Sequence, residues 1–368
     1  MLLSLTLLPQ GRGADVAWPD GLHRSHPPST HEQEIDVEVF KEQPVGGGES
    51  VLSVSFNRSG RALWYRLAAR DVFAEGVELV AFAEKGEARL DARPVSTFVS
   101  RLDHQWASAV WHDDGSLSGI FEDRGELLHL RTTMRQRPAA VRASGGGVVR
   151  FVASLVGLAA GNDTTQTSDG GEVGLEASTV AGRGSVDQWW PGCYAGDDRL
   201  HVISLGIIAD TAAWDLHRDG LWSKIEAIVS QASFIYERQM NIKLEIAELI
   251  VFKTVTSEDP VFAHECSNNS ASASRTFMYA KVRSLQSFPK HFRGAWHLFT
   301  GCGDGRGTVG IAATDTMCFA PGNGGVSQLR PNSSFRPFAH ELGHNLGAKH
   351  SFENGKGKTG GIMDYGVH

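Results

Sequence analysis

The stretch Phe338-Ala-His-Glu-Leu-Gly-His-Asn-Leu-Gly-Ala-Lys-His350 constrains this chain more than any other feature. Residues four apart share one face of a helix, so a helix here points His340 and His344 at a common point. Ser333 or Ser334 is expected to cap that helix, with Pro337 in its first turn. Gly347 is expected to end it, because glycine enters the left-handed region at little cost. The chain then turns back and brings His350 to the same point. Three neutral imidazoles leave one position of a tetrahedral zinc ion open, the arrangement of a catalytic site rather than a structural one. Glu341, beside the first histidine, is placed to reach the attacking water and is expected to act as general base.

The rest of the chain divides by pattern. Residues 1–30 are read as a leader region. Met-Leu-Leu-Ser-Leu-Thr-Leu-Leu before Pro9 is apolar but lacks the basic residues that open a signal peptide, so it reads equally as a short signal or a strand. Residues 31–160 alternate apolar and polar positions at period two, as at 35–39 and 51–56, and at 77–82, 107–111 and 127–130, which predicts an all-β module. Residues 161–198 have the Gly, Ser, Thr and Asp composition of a linker. From 199 to 368 the pattern changes. The apolar run His201–Ala209 suits a strand buried on both faces, and Leu221–Met240 has helical spacing. A strand over 241–252, a helix over 275–285 and strands at Ala295–Thr300 and Thr308–Ala313 follow. Strands alternating with helices predict an α/β domain with a mostly parallel twisted sheet and long helices.

The charge balance narrows the partners. Among 368 residues, 35 Lys and Arg against 42 Asp and Glu give a formal charge of −7. No dense basic block marks nucleic acid as a partner. No stretch approaches the ~20 apolar residues of a spanning helix, so no membrane span is expected in this chain. The four cysteines, Cys193, Cys266, Cys302 and Cys318, form no C-x-x-C pair. A disulfide between Cys302 and Cys318 is the first expectation, with Cys266 and Cys193 left over or joined. Sequons at Asn57, Asn162, Asn268 and Asn332 point weakly to secretion or the secretory pathway.

The zinc motif together with Gly361-Ile-Met363-Asp resembles the metzincin peptidases, Met363 matching the residue of their Met-turn. Within them, Thr308-Val-Gly-Ile-Ala-Ala and Gly324-Gly-Val-Ser-Gln resemble the segments before the zinc helix of the reprolysin/ADAM-like group. Ser351, after the third histidine, departs from the aspartate usual there. The resemblance covers about 199–365, and the β-rich half is similar in outline to an ADAM-type propeptide. It implies a zinc endopeptidase made as a zymogen, one catalytic Zn2+, and protein or peptide substrates bound in extended form. The substrate would add to an edge strand, Thr308, Val309, Gly310, Ile311, Ala312 and Ala313. It also raises a latency switch at Cys193, although the family's Pro-x-x-Cys-Gly pattern is not matched there, and a structural disulfide or buried thiol is the other reading. A structural Ca2+ is not specified. The rival of a different class is a catalytically silent ADAM-like binding or adhesion module.

Overall fold

A computed structural model describes residues 13–17, 33–42, 50–83, 86–89, 96–102, 105–112, 114–124, 126–133, 142–143, 146–158, 199–264, 266, 275–288, 291–303, 308–319, 323–330, 335–352 and 361–364. The N-terminal half holds β1 (Gly13–Ala17), β2 (Gln33–Glu42), β3 (Val51–Arg58), β4 (Arg61–Ala69), β5 (Phe73–Ala83), β6 (Gly86–Arg89), β7 (Thr97–Leu102), β8 (Gln105–Trp111), β9 (Leu117–Asp123), β10 (Glu126–Thr133), β11 (Arg142–Ala143) and β12 (Gly146–Leu158). The C-terminal half holds β13 (His201–Ala209), α1 (Thr211–His217), α2 (Leu221–Met240), β14 (Ile242–Phe252), α3 (Arg275–Ser287), β15 (Ala295–Thr300), β16 (Thr308–Ala313), β17 (Gly324–Gln328) and α4 (Arg336–Asn345).

Two sheets result. One runs β10-β9-β8-β7-β4-β3-β2-β12-β11, and the further pairing of β10 with β12 closes it into a ring of antiparallel strands. Period-two alternation explains it. In β2, Ile35, Val37 and Val39 are buried while Glu34, Asp36 and Glu38 face out. Val54, Phe56, Tyr65, Leu67, Phe98 and Phe121 pack with them inside.

The second sheet runs β1-β16-β17-β15-β13-β14-β5-β6. Strands β17, β15, β13, β14 and β5 are mutually parallel; at one side β16 runs antiparallel to β17 and β1 antiparallel to β16, and at the other β6 runs antiparallel to β5. Three strands of this sheet therefore come from the N-terminal half. The run at 77–82, read as part of the β-module, lies in β5 and pairs with β14 from Glu78 opposite Glu248 to Phe82 opposite Phe252. Alternation fixes which face of a strand is buried, not which sheet receives it.

Helix α2 lies between the ring and this sheet. Its apolar residues Ile225, Val229, Ala232 and Tyr236 join the main core with Leu205, Ile207, Leu244 and Phe338. Its polar residues Glu226, Ser230 and Glu237 are buried as well. They meet the N-terminal half: Ser96 donates to Glu226, Ser108 bonds Ser230 at 3.1 Å, and Arg70 pairs with Glu237 at 2.9 Å. A second buried polar centre ties the C-terminal half together. Asp210 caps α1 through the Ala213 amide at 2.8 Å, accepts from Gly301 N at 3.0 Å and from Thr300, and pairs with Lys281 of α3 at 2.8 Å. Cys302, just beyond, forms a disulfide with Cys266. The expected Cys302–Cys318 pair is thus corrected. Cys318 is free and exposed, and its amide bonds Gly294 O, before the start of β15. Cys302 follows the other end of that strand, roughly 20 Å away at strand rise, beyond disulfide reach.

Candidate active site

Helix α4 presents its motif by burial on all sides. Phe338, Ala339 and Leu342 enter the main core, and Tyr236 of α2 donates from its hydroxyl to Ala339 O at 2.7 Å. Pro337 falls in the first turn as expected, but the cap position is Phe335, which makes no side-chain capping bond. Ser333 and Ser334 lie outside the described residues. At the other end Gly347 adopts φ +92°, and its amide bonds His344 O at 2.9 Å, so the chain reverses where the glycine predicts.

That reversal brings the three histidines together. One ligand nitrogen from each of His340, His344 and His350 lies within 4.8 Å of the other two. The Nε2 atoms of His344 and His350 stand 3.1 Å apart, and two nitrogens on a tetrahedral zinc with ~2.0–2.1 Å bonds stand roughly 3.3 Å apart. The rings are oriented from behind. His340 Nδ1 bonds Ile362 O at 2.6 Å and His344 Nδ1 bonds Ala348 O at 2.8 Å. Each Nδ1 therefore carries the proton as donor, and each Nε2 presents its lone pair to the common point. Burial pushes the His340 pKa down to about 3, with His344 and His350 acting in the same direction and the Ile362 carbonyl opposing. A neutral imidazole is what a divalent ion binds. The donor set fits zinc.

Glu341 is fully buried on the same helix. Its carboxylate lies against β16, where a Cβ at Gly310 would fall 2.4 Å from Oε1. Glycine at 310 therefore gives the carboxylate its place. Gly343 does the same for Met363, whose sulfur would be 2.5 Å from a Cβ there. Met363 O also accepts from Ser351 N at 3.0 Å, which ties the segment below the histidines to the one after His350.

Two residues that the motif reading did not single out complete the site. Asn345, fully buried, donates through Nδ2 to Ala313 O at 2.9 Å, and to Thr316 Oγ1 and Gly324 O at 3.3 Å, so it fixes α4 to β16 and β17. Tyr236 is held protonated by burial first and by the nearby Glu341 charge second. Helical spacing marks Tyr236 as a core position and nothing more.

The strand Thr308–Ala313 lies beside α4, but it is not the outermost strand of the sheet. β1 pairs along its outer side, Gly13 opposite Ala313 through Ala17 opposite Thr308. A five-residue segment some 290 positions away carries no periodicity that would announce this pairing. Cys193 lies outside the described residues.

Residues 199–363 match the Reprolysin_5 family model, described as metallo-peptidase family M12. That match supports a zinc-dependent metallopeptidase of family M12 in the C-terminal half. Among solved structures, the crystal structure of metalloproteinase-II from Bacteroides fragilis aligns with 86% of this chain and 85% of that chain, at 14% identity and a TM-score of 0.39. An overlap of that size does not assign a shared fold.

Proposed function

We propose that the C-terminal half is a metzincin-type zinc endopeptidase, nearest in character to the reprolysin/ADAM-like group, made as a zymogen with the N-terminal half as its prodomain. The observation that carries the reading is the convergence of His340, His344 and His350 with Nδ1 atoms tied back to carbonyls, next to a buried Glu341. Zinc held there supplies a Lewis acid for the scissile carbonyl and lowers the pKa of the attacking water. Glu341 takes the proton of that water and delivers it to the leaving amine. Its pocket against Gly310 keeps the carboxylate at the level of β16, where an extended substrate backbone would lie. Met363 under Gly343 is the candidate Met-turn residue, a floor for the histidines. Asn345 holds the helix and the strand in fixed relation, and orientation of that kind is worth several kcal/mol of barrier.

The zymogen reading is supported by the face that α2 turns to the N-terminal half. Glu226, Ser230 and Glu237 are polar, so removing their partners returns groups that water can satisfy. Secretion is supported by the Cys266–Cys302 disulfide, which suits an oxidising compartment, and by the exposed sequon at Asn57.

Metal analysis of the purified chain tests the site. One zinc per chain is expected, retained by Glu341→Gln and lost by His344→Ala. Zinc that stays bound in His344→Ala, or none in the wild type, would sink the assignment.

A further inference from the structure

Away from the three histidines, the described residues hold one other group of metal-ligating side chains. One ligand atom from each of Glu78, Glu248 and His291 lies within 4.8 Å of the other two. Glu78 lies on β5 in the N-terminal half and Glu248 on β14 in the C-terminal half, opposite one another in the parallel ladder. His291 stands shortly before β15. Its Nδ1 is 3.0 Å from Glu248 Oε2 and 3.8 Å from Glu78 Oε2. Two donor atoms on one tetrahedral zinc ion with bonds of ~2.0–2.2 Å stand roughly 3.3–3.6 Å apart, so small adjustments close the set around an ion. The backbone brings the carboxylates together. Between Ile246 and Glu248 the register shifts, and β5 spends five residues, from Phe73 to Glu78, where β14 spends two. An irregularity of this kind re-aims a side chain. Here it sets two carboxylates face to face, and like charges directly opposite on neighbouring strands repel unless a cation lies between them.

We propose that Glu78, Glu248 and His291 bind a second divalent ion, of the zinc class, which clips β5 to β14 and so joins the N-terminal half to the C-terminal half. The site is separate from the peptidase reading and does not need it. Arg293 donates to Glu248 Oε2 at 3.1 Å, an outer bond of the kind that orients a ligating carboxylate. It cancels one of the two negative charges, and the other remains for the metal. The segment is held as well, since Trp296 Nε1 donates to His291 O at 3.1 Å. Glu248 is buried whereas the His291 ring is largely exposed, so an ion reaches the group from solvent. An imidazole beside two carboxylates suits zinc and its neighbours among the transition metals, not Ca2+ or Mg2+, which take oxygen ligands. With one imidazole and an open side, this site holds its ion less tightly than three histidines do, and dialysis empties it first.

The test titrates Zn2+ by calorimetry into dialysed full-length chain already loaded with one equivalent of zinc. The wild type is expected to take up one further ion, with an affinity at least roughly tenfold lower in His291→Ala and in Glu78→Gln. Both substitutions fall on partly exposed side chains, and circular dichroism checks that the variants are folded. Ca2+ and Mg2+ at the same concentration should not bind there. Amide hydrogen exchange along β5, from Glu78 to Phe82, should slow when the ion binds the wild type and stay unchanged in His291→Ala. A wild type that takes no further ion leaves the cluster a network of ion pairs and overturns the proposal. A further ion that both variants bind as tightly as the wild type overturns it too, as does equal binding of Ca2+ or Mg2+. Binding that leaves exchange in β5 unchanged overturns the clip. Neither readout uses peptide cleavage, so failure here and failure of the peptidase reading are told apart.

Discussion

Replacing Gly310 by alanine should disable the site without unfolding the protein. The added Cβ would stand 2.4 Å from Glu341 Oε1 and 2.9 Å from Cδ and Cγ, against an ordinary contact of at least 3.4 Å. The nearest atoms belong to the end of a side chain, not to backbone, so the carboxylate gives way. Relief requires a shift of about 1 Å, since 3.4 Å less 2.4 Å is 1.0 Å. A displacement of that size in a reacting group costs on the order of 100-fold in rate, or about 2.7 kcal/mol of barrier. The loss should fall on kcat, with KM changed by less than roughly threefold, because backbone groups on β16 remain in place to hold substrate. Stability should fall by about 1–3 kcal/mol, the cost of an added methyl that displaces a neighbour in a packed site, and the protein should stay folded. Steady-state kinetics on a fluorogenic peptide, urea unfolding and a crystal structure of Gly310→Ala measure the three quantities. A variant that turns over at the wild-type rate with Glu341 unmoved would refute the claim that the glycine positions the carboxylate.

Other consequences concern the frame around the site. Lys281→Met leaves the buried Asp210 carboxylate without its cation, although it keeps the Ala213 and Gly301 amides. A loss of about 3–5 kcal/mol is expected in urea unfolding, and a loss below about 1 would show that the two amides and the Thr300 hydroxyl suffice. Replacing both Cys266 and Cys302 by serine opens a cross-link of 36 residues' separation, which should lower stability by about 3–4 kcal/mol. An unchanged melting temperature would contradict it. His297, fully buried with Nε2 3.1 Å from Ser327 Oγ, has its pKa lowered to about 3 by burial. Its folded value lies below the unfolded one, so the unfolded chain takes the proton first. Stability should therefore fall as pH drops from about 6.5 toward about 3, by up to ~1.4 kcal/mol per unit from this residue. His297→Gln should flatten that slope, and an identical slope would show that His297 does not drive it.

What could be read from the sequence follows from how local each feature is. The helix Leu221–Met240, the reversal at Gly347 and the strand Thr308–Ala313 depend on spacing within a few turns, and the structure has them where the spacing puts them. The histidine cluster is local too, since all three ligands lie within eleven residues of chain, 340–350. Features that depend on partners distant in sequence were not legible. Alternation at 77–82 could not say that β5 leaves the ring for the sheet of β14. The helical spacing of Leu221–Met240 says nothing of its polar positions, and the N-terminal half, through Arg70, Ser96 and Ser108, shows why Glu237, Glu226 and Ser230 are buried. Cysteine pairing failed for the same reason, because it depends on which ends of β15 the loops reach.

The central claim is that His340, His344, His350 and Glu341 cut peptide bonds. Mass-spectrometric profiling of a peptide library tests it most directly, with wild-type protein before and after limited trypsin treatment and Glu341→Ala in parallel. The account predicts cleavage that appears or rises after trypsin, is abolished by a chelator, returns with zinc and is absent from the variant. Cleavage that survives in Glu341→Ala, or no cleavage from folded, zinc-loaded and trypsin-nicked wild type, would contradict it and favour a binding module built on the same site.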